Sequence, residues 1–322
     1  MSASRPRRAG AYSCEFDPKG KYEAIETTVI LLTGATGLVG SALLERLLAA
    51  GKEVRCLVRD PRRLGPNRVR VQITLGDLAN PVAVRQAVRG VDTVVHLAAT
   101  IRDQPAGSIE ELNAVATIRL LREARAARAR RFLFFGAMGA SRISDARFFR
   151  AKALGEEAVL RSGMEAMVVA PSIVYSPGDH WLTLLKRLSL LPWLPLAGNG
   201  EAAYQPIWAQ DVATFTERAL ADGAFADARR VELAGPETLT YEEIVRTALD
   251  AWGRPRPLVH VPLPVVRSGL RAVERLAGDS AFATWEEAKL MEIPMTSPRG
   301  ADDARALGVE PKSMREVLGL EP

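Results

Sequence analysis

The sequence predicts an α/β fold in which a doubly wound parallel sheet is followed by a smaller C-terminal cap domain. Three observations predict it: short apolar segments alternate with amphipathic ones from residue 28 to 171, a glycine-rich turn follows the first apolar segment, and prolines accumulate after Pro171. Strands that alternate with helices form βαβ units, whose crossover helices make the sheet parallel.

The first predicted unit is a strand at 28–32, the turn Thr33–Gly40 and a helix over 41–51. Continuous apolar runs typical of buried parallel strands recur at 53–58, 69–75, 92–97, 131–135 and 166–170. Apolar residues three and four positions apart predict helices at 81–89, 106–128, 148–162, 209–221, 240–252 and 264–277.

The composition excludes several classes of protein. Of the 322 residues, 48% are hydrophobic and 25% charged, which is typical of a globular domain and not of a disordered or collagen-like chain. The net charge of +5 is too small to indicate nucleic acid, and we expect no nucleic-acid partner. Two cysteines and three distant histidines predict neither a disulfide framework nor a metal site.

No apolar run is long enough for a transmembrane helix. The nearest candidate, residues 181–198, is interrupted by Lys186, Arg187 and two prolines. This segment could dip into a membrane interface or contact a partner. The alternative is a buried helix of the cap domain.

The turn carries Gly34, Gly37 and Gly40 at intervals of three, directly between a strand and a helix. Gly34 would permit a tight turn, Gly37 would let the backbone approach a pyrophosphate, and Gly40 would let the helix pack near the strand. The free N–H groups of the helix N-terminus would attract the phosphates. We therefore expect a dinucleotide here, and the alternative is a structural turn that binds nothing.

Arg59 follows the second strand, where the adenosine ribose is expected. A basic residue there accommodates the 2′-phosphate of NADP, so NADP(H) is favoured over NAD(H). Asp60 should turn away and cap the segment that follows. The alternative for Arg59 is a solvated loop arginine.

Several motifs occur in the order seen in extended short-chain dehydrogenase/reductases: Thr33–Gly40, Gly76–Leu78, His96–Ala99, Leu112–Asn113, Phe148–Lys152, Pro171–Asp179 and Gln205–Val212. Over about 28–318 the chain resembles this family. Residues 136–140, 171–179 and 307–311 make it similar to the atypical group that contains the NAD(P)H-binding accessory subunit of respiratory complex I and its bacterial relatives. The epimerase-like resemblance implies a Rossmann-type dinucleotide-binding domain at 28–171, after a disordered or weakly ordered tail at 1–27. The substrate or cap region would be 172–322, with about 204–234 packing back on the sheet.

The resemblance also implies a set of cofactor contacts. Asp77 would accept a hydrogen bond from the adenine amino group, unless it is only a turn residue. Asn113 would stabilise the active-site helix, unless it is a surface amide. The expected cofactor-binding residues are Gly34, Thr36, Gly37, Leu38, Val39, Gly40, Arg59, Asp77, Leu78, Ala98, Ala99, Lys152, Pro171 and Ile173.

The chain departs from the family at the catalytic positions. The family's chemistry needs a Tyr as general acid/base, a Lys four residues later that lowers the Tyr pKa and binds the nicotinamide ribose, and a Ser after the fifth strand. The matching residues here are Phe148, Lys152 and Gly136. Ser141 and Ser144 could substitute, although loop polarity explains them better. Lys152 would still hold the ribose, or else be a surface lysine.

Two functions follow from this departure. The first is an atypical member that holds NADP(H) as a structural or sensing ligand, with an assembly role and a protein partner in a membrane-associated complex of the respiratory type. The second is an NADP-dependent oxidoreductase or epimerase acting on a nucleotide sugar or a small carbonyl compound. The expected location is cytoplasmic, peripheral on a membrane, or the mitochondrial matrix in a eukaryote.

Overall fold

A seven-stranded sheet forms the centre of the computed structural model, which describes residues 13–14, 24–25, 28–221, 225, 229–277 and 283–320. Its strands, labelled β1 to β7, are Val29–Thr33, Glu53–Val58, Gln72–Leu75, Thr93–His96, Arg131–Phe135, Glu165–Pro171 and Arg229–Leu233. The spatial order is β7-β6-β5-β4-β1-β2-β3, and all neighbouring pairs are parallel. The predicted doubly wound sheet is confirmed. Its order reverses between β1 and β4, where open α/β sheets bind ligands.

Two helical layers cover the sheet because alternate residues of each strand face opposite sides. Ile30 and Leu32 of β1 belong to one core, and Val29 and Leu31 belong to the other. The helices are α1 Leu38–Ala49, α2 Pro81–Ala87, α3 Ala116–Ala126, α4 Arg147–Leu160, α5 His180–Leu188, α6 Ala209–Ala219, α7 Tyr241–Ala251, α8 Leu263–Ala277, α9 Trp285–Leu290, α10 Asp302–Arg305 and α11 Met314–Val317. Helices α1 and α6 lie on the first face, and α2, α3 and α4 lie on the second.

The C-terminal region has its own core and short strand pairs. The pairs are Val174–Tyr175 with Ile207–Trp208, Leu194–Ala197 with Leu258–Val261, and Ala203–Tyr204 with Leu239–Thr240; a further pair near the N-terminus is Ser13–Cys14 with Ala24–Ile25. Helix α5 buries Leu182 and Leu185 in this core. For the part of 181–198 that forms α5, the interpretation as a buried helix of the cap domain is therefore correct.

Two predicted elements differ from the structure. The third strand begins at Gln72 rather than 69, because Pro61–Val69 forms 3₁₀ turns that contain Pro66 and a left-handed Gly65. The long helix predicted over 106–128 is a π-helical turn, Glu111–Val115, that leads into α3. The predicted disorder of 1–27 lies outside the described residues except for the strands at 13–14 and 24–25.

Candidate functional site

The glycine turn brings the ends of β1 and β4 unusually close together. Gly34 has φ of 78°, and a Cβ on it would lie 2.6 Å from the backbone nitrogen of Ala98. A Cβ on Gly40 would lie 2.0 Å from the carbonyl oxygen of Gly34. Only glycine fits at both positions, so helix α1 starts directly against the turn.

The N-terminus of α1 is left uncapped by side chains. Its N-cap residue is Gly37, and its first turn holds no acidic residue. The first N–H groups of a helix have no partner within the helix, and they carry a partial positive charge. Leu38 and Val39 would therefore contribute to anion binding through their backbone amides.

A cavity of about 330 Å³ lies over this turn, at the reversal of strand order. Of the predicted cofactor residues, eight line it: Gly34, Thr36, Gly37, Arg59, Asp77, Leu78, Ala98 and Ala99. The remaining six do not line it: Leu38, Val39, Gly40, Lys152, Pro171 and Ile173. Ten further lining residues were not among the predicted contacts. Arg63, Thr100 and Gln104 lie outside the quoted motifs, and Leu57 and Val58 end β2. The other five lie within quoted motifs: Thr33, Ala35, Gly76, Leu97 and Leu112.

Two arginines and one carboxylate stand at the outer end of the cavity. The Arg59 Nε lies 3.7 Å from Oδ2 of Asp77, and Arg63 lines the same wall. Oδ1 of Asp77 accepts a hydrogen bond from the Ala79 backbone at 2.8 Å, so Asp77 is a turn residue whose second oxygen is directed towards Arg59. Asp60 accepts hydrogen bonds from the backbone and side chain of Arg62, as expected for a cap.

A buried chain of hydrogen bonds runs beneath the cavity. His96 is completely buried; its Nδ1 lies 2.7 Å from the Thr33 hydroxyl and its Nε2 lies 2.9 Å from the Thr117 hydroxyl. Because Thr117 donates its proton to the carbonyl of Asn113, it accepts from His96, which assigns the imidazole proton to Nε2. Asn113 is 1% exposed and binds both backbone groups of Thr100, so the surface-amide alternative is wrong.

Burial should make His96 a determinant of acid stability. Desolvation, reinforced by Lys152, lowers the pKa of His96 to about 3, against 6.5 in an open chain. Between these values the unfolded chain binds a proton that the native state does not, so stability falls as the pH falls. We expect urea denaturation between pH 7.5 and 4.5 to show this. As the pH falls, the free energy of unfolding of wild type should drop by up to about 1.4 kcal/mol per pH unit more than that of His96→Gln. His180→Gln, at an exposed histidine, should follow wild type; equal slopes in all three proteins would contradict the prediction.

Lys152 is directed into the protein. It is 2% exposed, so the surface-lysine alternative is wrong, and its Nζ donates to the Phe135 carbonyl at 2.6 Å. The ammonium lies 4.8 Å from the ring centre of Phe134 and 5.6 Å from that of Phe148. Burial lowers the pKa of Lys152 to about 8, and the carboxylate of Glu156 opposes that shift. Phe148 thus forms one wall of an aromatic environment for the lysine.

Gly136 faces a carboxylate. A Cβ at this position would lie 2.1 Å from Oε1 of Glu156, which accepts a hydrogen bond from the Ala137 backbone. The other Glu156 oxygen accepts from Nε of Arg230 on β7 at 2.9 Å. A serine at 136 would therefore displace an ion-paired buried group.

The chain itself covers the region beside Pro171 and Ile173. Residues 290–297, called the closing segment, cross the carboxyl ends of β5 and β6. The Ser172 hydroxyl donates to the Met295 carbonyl at 2.6 Å, and Ile293 packs with Phe148 and Phe149. The lining of the cavity over the glycine turn does not include Phe148, which is half-buried and packs against the same cluster as Ile293. Within the described residues, no group of three His, Cys, Asp or Glu side chains could hold a metal ion.

Comparisons with known proteins agree with this geometry. The sequence profile of the NAD dependent epimerase/dehydratase family matches residues 30–234. The chain is 28% identical to a ceramide reductase of Caulobacter vibrioides, covering 73% of this chain and 74% of that protein. It is also 28% identical to the mitochondrial NADH dehydrogenase (ubiquinone) 1 alpha subcomplex subunit 9 of Arabidopsis thaliana, covering 77% and 64%. The solved UDP-glucose 4-epimerase of Thermotoga maritima has the same fold, with a TM-score of 0.69, 17% identity, and coverage of 91% and 97%.

Proposed function

This chain belongs to the NAD-dependent epimerase/dehydratase family, and we propose that it holds NADP(H) as a structural or sensing ligand. Because members of this family depend on NAD, the expected cofactor is a nicotinamide dinucleotide. One observation carries the proposal: a cavity lies over the glycine turn, whereas Lys152 is held by the Phe135 carbonyl and position 148 carries a phenyl ring beside the closing segment. Such a chain binds its ligand without an obvious means of using it.

The proposed ligand contacts follow the cavity. The α1 amides and Gly37 would bind the pyrophosphate, Asp77 and Leu78 the adenine, and Ala98 and Ala99 the central channel. Pro171 and Ile173 would meet the nicotinamide under the closing segment. When bound, the dinucleotide supplies hydride chemistry at that end. The Lys152 ammonium donates one proton to the Phe135 carbonyl, and one of its other two N–H groups would have to reach the ribose.

We expect NADPH to bind more tightly than NADH because Arg59 and Arg63 flank the ribose end of the cavity. Arg59→Ala should weaken NADPH binding about tenfold or more and leave NADH binding nearly unchanged, since it removes charge-assisted hydrogen bonds to the 2′-phosphate. Fluorescence titration of both nucleotides measures this. Arg62→Ala is the matched control, because Arg62 is paired with Asp60. Equal affinities of wild type for the two nucleotides would refute the preference.

The absence of a phenol at position 148 supports a non-catalytic role. A positioned general acid/base contributes roughly 10²–10⁴-fold to a rate, and a Phe side chain moves no proton. The direct test identifies the nucleotide that copurifies with the protein and then measures NADPH consumption over a panel of carbonyl compounds and nucleotide sugars. Retained nucleotide with negligible turnover supports the proposal, and brisk turnover by wild type eliminates it.

A ligand that binds only the folded state can stabilise it for assembly. When the free ligand concentration is one hundred times the dissociation constant, binding adds about 2.7 kcal/mol to the free energy of unfolding. The plant relative is a subunit of NADH dehydrogenase, which supports a role in a membrane-associated complex with a protein partner. No described helix has the length and apolar character needed to cross a bilayer. A peripheral position in the cytoplasm or mitochondrial matrix is therefore part of the proposal.

The second candidate is an NADP-dependent reductase or epimerase. The bacterial relative is called a ceramide reductase, which favours it. In that case another group must replace the missing phenol, and Ser141 and Ser144 are available in the loop before α4. Loss of wild-type turnover in Ser141→Ala or Ser144→Ala would favour the enzyme, and turnover that appears only in Phe148→Tyr would favour the binding protein.

A further inference from the structure

The turn after α5 presents consecutive large apolar side chains to solvent. Leu190 is 68% exposed, Leu191 is 44% exposed and Trp193 is 47% exposed, and Pro192 lies between them. Scattered single apolar residues are normal on a protein surface, whereas a contiguous group marks an interaction site. These four residues are called the 190–193 turn.

The turn is held in place rather than loosely extended. The Arg256 Nε donates to the carbonyls of Ser189 and Leu191, at 3.0 and 3.1 Å. The Leu194 backbone N–H donates to the Pro257 carbonyl at 2.9 Å, which brings 257–259 alongside the turn. Val259, 43% exposed, is the register partner of Pro195 on the strand that follows the turn, and it extends the apolar surface.

The surroundings of the turn are basic. Residues 180–200 and 251–261, which carry the turn and the strand paired beside it, contain no Asp or Glu. They contribute Lys186 and Arg187, both exposed, together with Arg254 and Arg256. The carboxylate of Glu242 nearby is ion-paired with Arg246, and its Oε2 lies 3.0 Å from Nε2 of His260. An apolar tip flanked along the chain by exposed cations complements an anionic lipid surface.

We propose that the 190–193 turn docks this protein on the surface of an anionic lipid bilayer. Leu190, Leu191 and Trp193 enter the interfacial layer, where tryptophan is favoured because its ring is amphipathic. Lys186 and Arg187 attract the anionic headgroups. A second copy of the chain is a poorer occupant, because a self-complementary contact would bring like charges together. The docking rests on the peripheral position in the proposed function but needs no bound dinucleotide, so vesicle binding and nucleotide binding can fail separately.

Flotation of the full chain with vesicles tests the proposal, using pure phosphatidylcholine and phosphatidylcholine with about one third phosphatidylserine. We expect wild type to bind the anionic vesicles at least about tenfold better, and both Leu190→Ser/Trp193→Ser and Lys186→Glu/Arg187→Glu to lose about tenfold or more. The matched control is Ile143→Ser, at a 92% exposed apolar residue elsewhere, which should bind like wild type. Quenching of tryptophan fluorescence by brominated lipid should disappear in Trp193→Phe.

Three results would overturn the docking proposal. Wild type could bind both vesicle types equally or not at all, or the Leu190→Ser/Trp193→Ser variant could bind like wild type. Sedimentation could also reveal a dimer that this variant dissociates, with no lipid binding in either protein. Every sample retains the N-terminal arginines 5, 7 and 8, so any vesicle binding through them is the same in wild type and in the variants. An unchanged midpoint of urea unfolding verifies that each variant is folded.

Discussion

Replacement of Gly40 by alanine should lower the free energy of unfolding by about 3 kcal/mol and abolish dinucleotide binding. The new Cβ would lie 2.0 Å from the carbonyl oxygen of Gly34 and 2.8 Å from its carbonyl carbon. Both atoms belong to the backbone, so neither side can yield by rotating a side chain. Helix α1 must move away from the turn, which removes its N-terminal amides from the cavity. Urea denaturation and NADPH titration measure the two effects.

Gly269 is the matched control for this substitution. It lies within helix α8, and a Cβ there would meet no atom within 4 Å. Gly269→Ala should raise the free energy of unfolding by about 0.5–1 kcal/mol, because alanine is the better helix former. The contrast separates the close contact at Gly40 from the general effect of alanine in a helix. A Gly40→Ala variant that matched wild type in stability would show that the strand and helix do not approach as described.

Gly136→Ser should lower the free energy of unfolding by about 3 kcal/mol and should not create turnover by itself. The serine Cβ would meet Oε1 of Glu156 at 2.1 Å and force that carboxylate away from the Ala137 backbone and Arg230. Displacing a buried carboxylate from its ion pair is strongly destabilising, because Glu156 then loses the charge that compensates its burial, while Arg230 keeps Glu232. The same clash means that adding Gly136→Ser to Phe148→Tyr would not rebuild the family's catalytic site.

A double-mutant cycle with Glu156→Ala tests the mechanism of this loss. Glu156→Ala is itself destabilising, because it removes one of the two carboxylates that pair with Arg230 and leaves only Glu232. In the double variant the space for a serine is already free. Its loss of unfolding free energy should therefore be smaller than the sum of the two single-variant losses by more than about 1 kcal/mol. Additive losses would mean that Gly136 and Glu156 do not compete for the same space.

The sequence predicts best those features that depend on neighbouring residues. The glycine turn, the cap at Asp60 and five of the six predicted strands follow from local patterns and occur where expected, whereas the third strand starts later and β7 was not predicted. The π-helical turn before α3 was not predicted, because its stability comes from Asn113 binding Thr100 in another loop. Periodicity within one segment carries no information about that contact.

The direction of the Lys152 side chain also depends on distant residues. A lysine four residues after position 148 satisfies the family's spacing, and the sequence alone favours contact with a ribose. The structure instead directs the ammonium to Phe135 on β5, between two aromatic rings. The closing segment was missed for a similar reason, since Ser172 and Met295 are 123 positions apart.

The closing segment has a consequence for how the proposed ligand would enter during synthesis. The glycine turn and the loop that carries Ala98 precede the closing segment by about 190 positions or more in the chain. The adenosine half of the proposed site would therefore emerge from the ribosome before the segment that covers the other half. A nascent chain that has not yet reached Met295 would offer the dinucleotide an uncovered pocket.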